Sequence, residues 1–517
     1  MGTRGSSFRT ADAVGPTYET REFPANALDG SLATVVALGT GLLIVVGVVA
    51  TGGNPVMAVA PPLVVGLLFV LARVPLRWSA TVLVFLILSL EISTDAHGIW
   101  ASPLVHIGDL LGYGFSNVSR LPVAGFEVVT VVLLAIAAFR RATRPDFEGR
   151  RAVQTAGVMR SCIILLVAGC LFAVGMSLLN GHGLALWKVR YLLHIPMFFL
   201  LFQTTLRHPE DFHAIGLALV AAAQVKALIA AYVQLVVAPK LTGGMLATAT
   251  NHGDSILFAL AVLVLVISVL ETWTWRSIVW AAILLPLPIW GMVLNGRRLV
   301  WAILAMAMVV VFLCSSWRPW KSRIVRISAI SAPLLLAYLA IGWNNTQLGG
   351  LFVPIAKIRT MLDSKVDHST LWRERETWNI AVSIRESSIL GIGLGGEYVE
   401  HMFNDDISQH YADYKGWPHN TILGLLLLAG LPGFAALWLP YLFVVFLAVR
   451  AERFSRTLFE RIAAAICIAS VVACLAVAWG DTGSHFIQYK LAAALSMSLA
   501  SKLAVATGAW PQSRQTA

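Results

Sequence analysis

A chain of 517 residues that is 58% hydrophobic and only 13% charged, with a mean hydropathy of +0.76, is too apolar for a soluble surface and describes a polytopic membrane protein. Its net charge of +11 would suit a nucleic-acid binder in a soluble chain, but Lys and Arg cluster here in short connections between apolar stretches, where the positive-inside rule accounts for them. Nucleic acid is therefore excluded as a partner, and membrane lipids are expected.

Residues 1–31 are polar and charged, without an apolar core followed by a small-residue cleavage site, and read as a cytoplasmic segment rather than a removable signal. Apolar stretches long enough to cross a bilayer follow at 32–51, 56–73, 78–93, 123–139, 161–179, 187–205, 212–238, 253–271, 277–295, 299–316 and 327–343. Three more, at 422–449, 462–480 and 487–505, bring the total to about fourteen by the hydropathy criterion. The expected architecture is all-α: a transmembrane bundle over 32–343, a large, partly helical extracytoplasmic loop over 344–418, transmembrane helices over 419–505, and a tail over 506–517. Gly430-Leu431-Pro432-Gly433 interrupts the long stretch at 422–449, which predicts a short slanted helix followed by a full crossing. The five cysteines all lie in apolar stretches and read as packing residues.

By alternation, Arg73, Arg77, residues 140–151, Arg207, Arg276, residues 318–326 and residues 450–461 share one side, which the positive-inside rule makes the cytoplasm. Both termini are then cytoplasmic, and the polar connections 94–122 and 344–418 face outward.

Several outward residues invite a chemical role. Asn295-Gly296-Arg297-Arg298 puts two arginines in a tight outer turn, against the charge rule. A fork-shaped, always charged guanidinium at the membrane boundary suits a pyrophosphate. Arg298 is the stronger candidate, with Arg297 beside it as a substrate contact or a headgroup anchor. Lys188 and Arg190 are a second anion contact or further anchors. Lys226, inside a span, calls for a carboxylate partner that the sequence does not identify.

In the outer loop, residues 369–386 read as a helix with Leu371, Trp378 and Val382 on one face. Arg375 projects from the middle of that apolar stripe and Arg373 from nearly the opposite side, so on a buried face Arg375 either needs an anionic partner in the site, or it snorkels out or pairs with a nearby carboxylate. The Gly391-Ile392-Gly393-Leu394-Gly395-Gly396 stretch follows no βαβ strand and is expected to be a tight turn that delivers the loop to the membrane. Glu397, Glu400, His401, Asp405, Asp406, His410 and Asp413 match no metal-binding spacing, and neither a metal nor another cofactor is expected. At Pro418-His419-Asn420 the polar segment meets an apolar helix, expected to start near His419. An imidazole at the positive end of a helix is disposed to accept a proton, as a general base must, and an interfacial His at the start of a transmembrane helix is the equal alternative. Asp481, in the outer turn 480–485, is a possible orienting carboxylate for such a base, with helix capping as the commoner role. No Gly-x-Ser-x-Gly elbow, His-Glu-x-x-His pair or Cys nucleophile occurs in the outer segments, which disfavours protease and lipase chemistry.

In their order and separations, the Gly296-Arg297-Arg298 turn, Arg375-Glu376-Thr377-Trp378, the Gly391 to Gly395 turn, Pro418-His419-Asn420 and Gly430-Leu431-Pro432-Gly433 resemble the bacterial O-antigen ligase and O-antigen polymerase superfamily. The resemblance covers the second half of the chain. It implies an outer-leaflet glycosyltransferase of the bacterial inner membrane, without a metal, acting on a polyprenyl-pyrophosphate-linked oligosaccharide donor and a glycan or lipid-linked acceptor. The family's outer-face Arg after a Ser, its loop Arg and the His of its His-Asn pair look like Arg298, Arg375 and His419. Arg297 stands where the family commonly has Ser, and Arg373 is a second match for the loop arginine. The expectation is an inverting displacement with His419, Arg298 and Arg375 as catalytic residues and Arg297, Arg190, Asn420, Trp378 and Asp481 around the substrate. A surface-polysaccharide polymerase is favoured, with an O-antigen ligase as the alternative. A transporter or lipid-linked glycan flippase is the rival from another class, because a bundle of this many spans also suits those folds.

Overall fold

The computed structural model describes residues 74–90, 124–143, 152–183, 188–244, 246, 248–344, 368–408 and 414–511, with isolated positions at 66, 352, 355 and 359. The chain divides into two compact units, Met1–Val70 and Leu71–Ala517, and apart from Gly66 the described residues all belong to the second. The expected spans at 32–51 and 56–73, the connection 94–122 and most of the loop between 345 and 367 lie outside the described residues.

Among the described residues the regular elements are helices and none is a strand. In chain order these are α1 (Leu76–Leu90), α2 (Gly125–Thr143), α3 (Gly157–Leu179), α4 (Arg190–Thr205), α5 (Phe212–Tyr232), α6 (Asp254–Thr272), α7 (Trp275–Leu284), α8 (Pro286–Asn295), α9 (Leu299–Cys314), α10 (Pro319–Asn344), α11 (His368–Glu386), α12 (Thr421–Phe454), α13 (Leu458–Gly480) and α14 (Ile487–Ala506). A π turn, Val233–Val237, carries α5 into the short helix Ala238–Thr242. Seven helical stretches among the described residues are long and apolar enough to cross a membrane: Gly157–Leu179, Pro209–Lys240, Asp254–Thr272, Trp275–Asn295, Pro319–Trp343, Thr421–Phe454 and Leu458–Gly480. α1 and α9 are shorter apolar helices.

The centre is formed by α12, which packs along α3 and against α13 and α14, while α6 and α9 lie on the other side of α13 and α4 lies on α14. Small buried residues along α13 and α14, among them Ala464, Ala469, Ala473, Ala493 and Ala500, let these backbones approach closely, as association inside a membrane requires when lipid is as apolar as the side chains. α10 is different: its apolar stretch is not buried in the protein.

Helix direction separates the two ends of this bundle. At one end, where α6 and α12 finish and α10 and α13 begin, Arg318 pairs with Glu452 at 2.9 Å and Arg461 with Glu271 at 3.1 Å, and the Trp320 indole donates to Glu271 at 2.9 Å. At the other end lie the first residues of α6 and α12 and the turn after α13, which carries Asp481.

Two features lock this second end together. The first is a break in α12 at Gly430, whose φ of 62° and ψ of −176° interrupt the helix. The turn at 389–393 enters the gap: the N–H groups of Ile392 and Gly393 donate to the carbonyls of Leu427 and Leu428 at 3.0 and 2.9 Å, and Leu431 N–H donates to the Ile389 carbonyl at 2.9 Å. The backbone groups freed by the break are thus taken up inside the protein, which is how non-helical backbone persists at membrane depth. These amides are committed to carbonyls, so the glycine turn is an anchor for the loop. The second feature is a buried ion pair between Lys226 of α5 and Asp254 of α6, 3.4 Å apart, in which the Gln488 amide also donates to Asp254 at 2.9 Å. It supplies the carboxylate partner of Lys226.

A Cβ on Gly430 would lie 2.2 Å from the Leu390 carbonyl carbon and one on Gly391 would lie 2.3 Å from the Gly430 nitrogen. Gly430→Ala and Gly391→Ala are expected to lose at least about 1–3 kcal/mol from the backbone conformation alone, read as a lower melting temperature in detergent. Gly175→Ala, whose Cβ meets nothing within 4 Å, serves as the tolerated control. Lys226→Met is expected to cost about 3–5 kcal/mol by leaving Asp254 unpaired, and the double change with Asp254→Leu to recover part of that loss in the same melts.

Candidate active site

Helix α11 is positioned by its polar side chains. Asn379 donates to the Met402 carbonyl at 2.8 Å and accepts from the Met402 and His401 N–H groups at 2.7 and 3.1 Å, while Ser383 accepts from Val399 N–H at 2.9 Å. The Trp372 indole donates to the Asp405 carbonyl at 3.0 Å. Segment 398–405 is thereby laid along α11, and Ile380 and Tyr398 pack with Leu427 of α12.

This arrangement brings Glu376 to His419. The Glu376 side chain is completely buried, and its Oε1 lies 3.3 Å from both the backbone N–H and the Nδ1 of His419. A proton on Nδ1 donates to that carboxylate and puts the accepting lone pair on Nε2. The Trp372 ring stands edge-on to the imidazole, 5.1 Å between centroids. Helix α12 begins just beyond, at Thr421, with the Asn420 side chain accepting Leu423 N–H at 3.1 Å as its N-cap. The expected helix start near His419 thus shifts by two residues: Asn420 satisfies an orphan amide more effectively than Pro418 can, and His419 lies just outside the cap.

Asp481 links this region to the arginine turn. Its Oδ2 lies 2.6 Å from His252 Nδ1, and the opposite ring nitrogen of His252 meets the Arg297 guanidinium. With Arg297 donating to Nε2, the ring proton sits on Nδ1 and donates to Asp481. The Asp481 carbonyl accepts from Thr421 Oγ1 at 3.3 Å, tying the start of α12 to the same turn. Burial pushes the Asp481 carboxyl up, but His252, Arg373 and His419 outweigh it and hold the group well below the ordinary carboxylate range. Three cationic or proton-carrying side chains from three separate parts of the chain therefore act on one buried carboxylate.

The face of α11 differs from the expected one. Trp372, Glu376, Asn379, Ile380 and Ser383 are buried, whereas Trp378 is 47% exposed. The apolar stripe misled because this helix packs on loop backbone, whose N–H and C=O groups need polar partners. Arg373 consequently lines a cavity with His419, while Arg375, about 200° around the helix at 100° per residue, donates to the Phe403 carbonyl at 3.3 Å. Of the outer arginine pair, Arg297 meets His252, and Arg298 is half-buried at the start of α9. Arg190 belongs to a neighbouring cluster, 3.2 Å from Glu127 and stacked over Tyr191, whose ring also faces His485 and Lys490.

Several other ionisable groups of this stretch have local partners. Glu400 pairs with Lys415, His401 with Glu386 and His368 with Asp405, each at 3.1 Å, and Asp406 accepts from Ser408 N–H. His410 and Asp413 lie outside the described residues. Sequence reasoning missed Glu376 and the part played by His252. A polar stripe at Glu376, Asn379 and Ser383, spaced i, i+3, i+7, was the available signal.

Residues 282–439 match the family model described as O-antigen ligase. The matched stretch runs from the end of α7 into α12 and takes in Arg297, Arg298, Arg373, Arg375, Glu376 and His419, but neither His252 nor Asp481. No curated protein matches the chain.

A carboxyl depressed in the folded state stabilises the fold above its unfolded value and loses that contribution only as pH falls through the lower folded value. Asp481→Asn is therefore expected to melt below wild type at about pH 5 as well as at about pH 7, both above the ordinary carboxylate range. Equal melting temperatures at the lower pH would contradict a depressed Asp481.

Proposed function

We propose that this chain, whose residues 282–439 match the O-antigen ligase family model, is an inverting glycosyltransferase that moves a glycan from a polyprenyl-pyrophosphate donor to an acceptor sugar at the outer leaflet of the bacterial inner membrane. The observation that carries this reading is the His419–Glu376 pair, set beside Arg373 and the Asp481–His252–Arg297 chain. His419 Nε2 takes the proton from an acceptor hydroxyl as its oxygen attacks the anomeric carbon. The bond from that carbon to the pyrophosphate oxygen breaks, and polyprenyl pyrophosphate leaves with the electron pair. Glu376 holds the ring orientation and faces the positive charge that the imidazole acquires.

Guanidinium groups stabilise the charge that gathers on the departing pyrophosphate. Arg297 and Arg373 are favoured for this because each acts on the residues around Asp481. Arg298 and Arg375, the matches suggested by the family pattern, are the comparison. Asp481 keeps His252 and Arg297 in register, Asn420 caps the helix behind the base, and Arg190 offers a further cation at the neighbouring cluster. The full span count of about fourteen, a 344–418 loop on the outer face and cytoplasmic termini complete the topology. The separation of the Arg318–Glu452 and Arg461–Glu271 network from the His419 end supports that orientation.

A polymerase that joins lipid-linked repeats is the favoured activity within the family. A deletion strain that accumulates single lipid-linked repeats is the expected result, and one that accumulates long unattached chains would indicate a ligase instead.

Alanine variants assayed for glycan transfer in membranes test the residues. His419→Ala is expected to lower the rate by about 10²–10⁴-fold, the range for loss of a positioned general base. Glu376→Gln is expected to fall between that variant and wild type. Arg297→Ala and Arg373→Ala should lose more activity than Arg298→Ala and Arg375→Ala; the reverse order would reassign the pyrophosphate contacts. Transfer by purified protein in liposomes without an ion gradient separates the enzyme from a transporter or flippase.

A further inference from the structure

The cavity onto which His419 opens has a volume of about 240 Å³ and is walled by His368, Ser369, Trp372, Arg373, Asp405 and Ile407. All six belong to the outer loop, either to the first turns of α11 or to segment 405–407, and none comes from the end of a membrane helix. We infer that this cavity is the acceptor subsite and that it takes one sugar ring with vicinal hydroxyls, one of which it presents to His419. The inference rests on the reading of His419 as the general base.

Position is the first argument. A base must lie within hydrogen-bond reach of the proton that it removes, so the space in front of His419 belongs to the nucleophile. The Asp481–His252–Arg297 chain leads toward the start of α9 and the membrane helices, where a lipid-anchored pyrophosphate has to stay, and Arg373, which acts on Asp481 from the cavity wall, borders both sides. Size is the second. Sites for drug-sized ligands run to about 300–1,000 Å³, and a space of about 240 Å³ accommodates one sugar ring.

Chemistry is the third. Asp405 and His368 form an exposed pair 3.1 Å apart, with 59% and 79% of their side-chain surfaces open to solvent, so both remain accessible to sugar hydroxyls. A carboxylate with two oxygens accepts from a vicinal diol, and the Ser369 hydroxyl either donates or accepts. Trp372 and Ile407 give apolar wall to the C–H face of a ring. Asp405 is held in place through its carbonyl by the Trp372 indole at 3.0 Å, so a rearranging loop is not needed to form the contact.

The test uses purified full-length protein in liposomes, lipid-linked glycan extracted from a strain that lacks the protein as donor, and methyl hexosides with their deoxy analogues as free acceptors. Asp405→Asn and Ile407→Trp are expected to raise the acceptor KM by about tenfold or more and to leave the donor KM within about twofold. Asp405→Asn should also discriminate less than wild type between a hexoside and its deoxy analogue. An increase in donor KM instead would assign the cavity to the donor sugar and overturn the inference, as would unchanged constants in both variants. A wild type that uses the native acceptor but no methyl hexoside would overturn the single-ring claim. Loss of the underlying reading has a separate signature: His419→Ala would transfer glycan at the wild-type rate.

Discussion

The structure depends on one interruption. At Gly430 a membrane helix opens, and the turn at 389–393 supplies amides and a carbonyl to the groups left over. Unsatisfied backbone at that depth costs several kcal/mol for each group, so loop and helix need one another. Because Ser383 and Ile380 tie the same loop to α11, the clamp at Gly430 also sets the height and direction of the helix that carries Glu376. Helix α11 thereby inherits the rigidity of the bundle.

Electrostatics at the His419 end of the bundle are organised around Asp481. A carboxylate buried at the turn after α13 would be destabilised alone, and it remains ionised because His252, Arg373 and His419 converge on it from separate elements. The Lys226–Asp254 pair, extended by Gln488, underpins the same region from inside the bundle, beneath the turn that holds His252. Removing one ion of such a pair is costly, although the intact pair contributes little net stability. Its use here is to fix the relative positions of α5, α6 and α14. Those helices carry or adjoin His252 and Asp481, so the exposed chemistry rests on buried polar contacts.

Much of this was legible in the sequence, and the parts that were not share a cause. Membrane character, helical class and the break near Gly430 follow from local composition and pattern, because a span must be apolar along its whole length and a break requires glycine or proline. The face of α11 was misread. Periodicity of Leu371, Trp378 and Val382 assumes that a buried face is apolar, and this helix buries Glu376, Asn379 and Ser383 against loop backbone instead. Trp378 is correspondingly exposed.

By itself the sequence determined that this is an all-helical membrane protein, since hydropathy and helical pattern act residue by residue. Only the tertiary structure decided that Glu376 lies against His419, that Asp254 answers Lys226, that Asp481 pairs with His252, and that Arg297 meets His252 while Arg373 lines the cavity with His419. Those are contacts between residues 28 to 229 positions apart or set by the rotation of one helix. A short-range pattern carries no record of such distances, because pairing energies are fixed by geometry that exists only after the helices have packed.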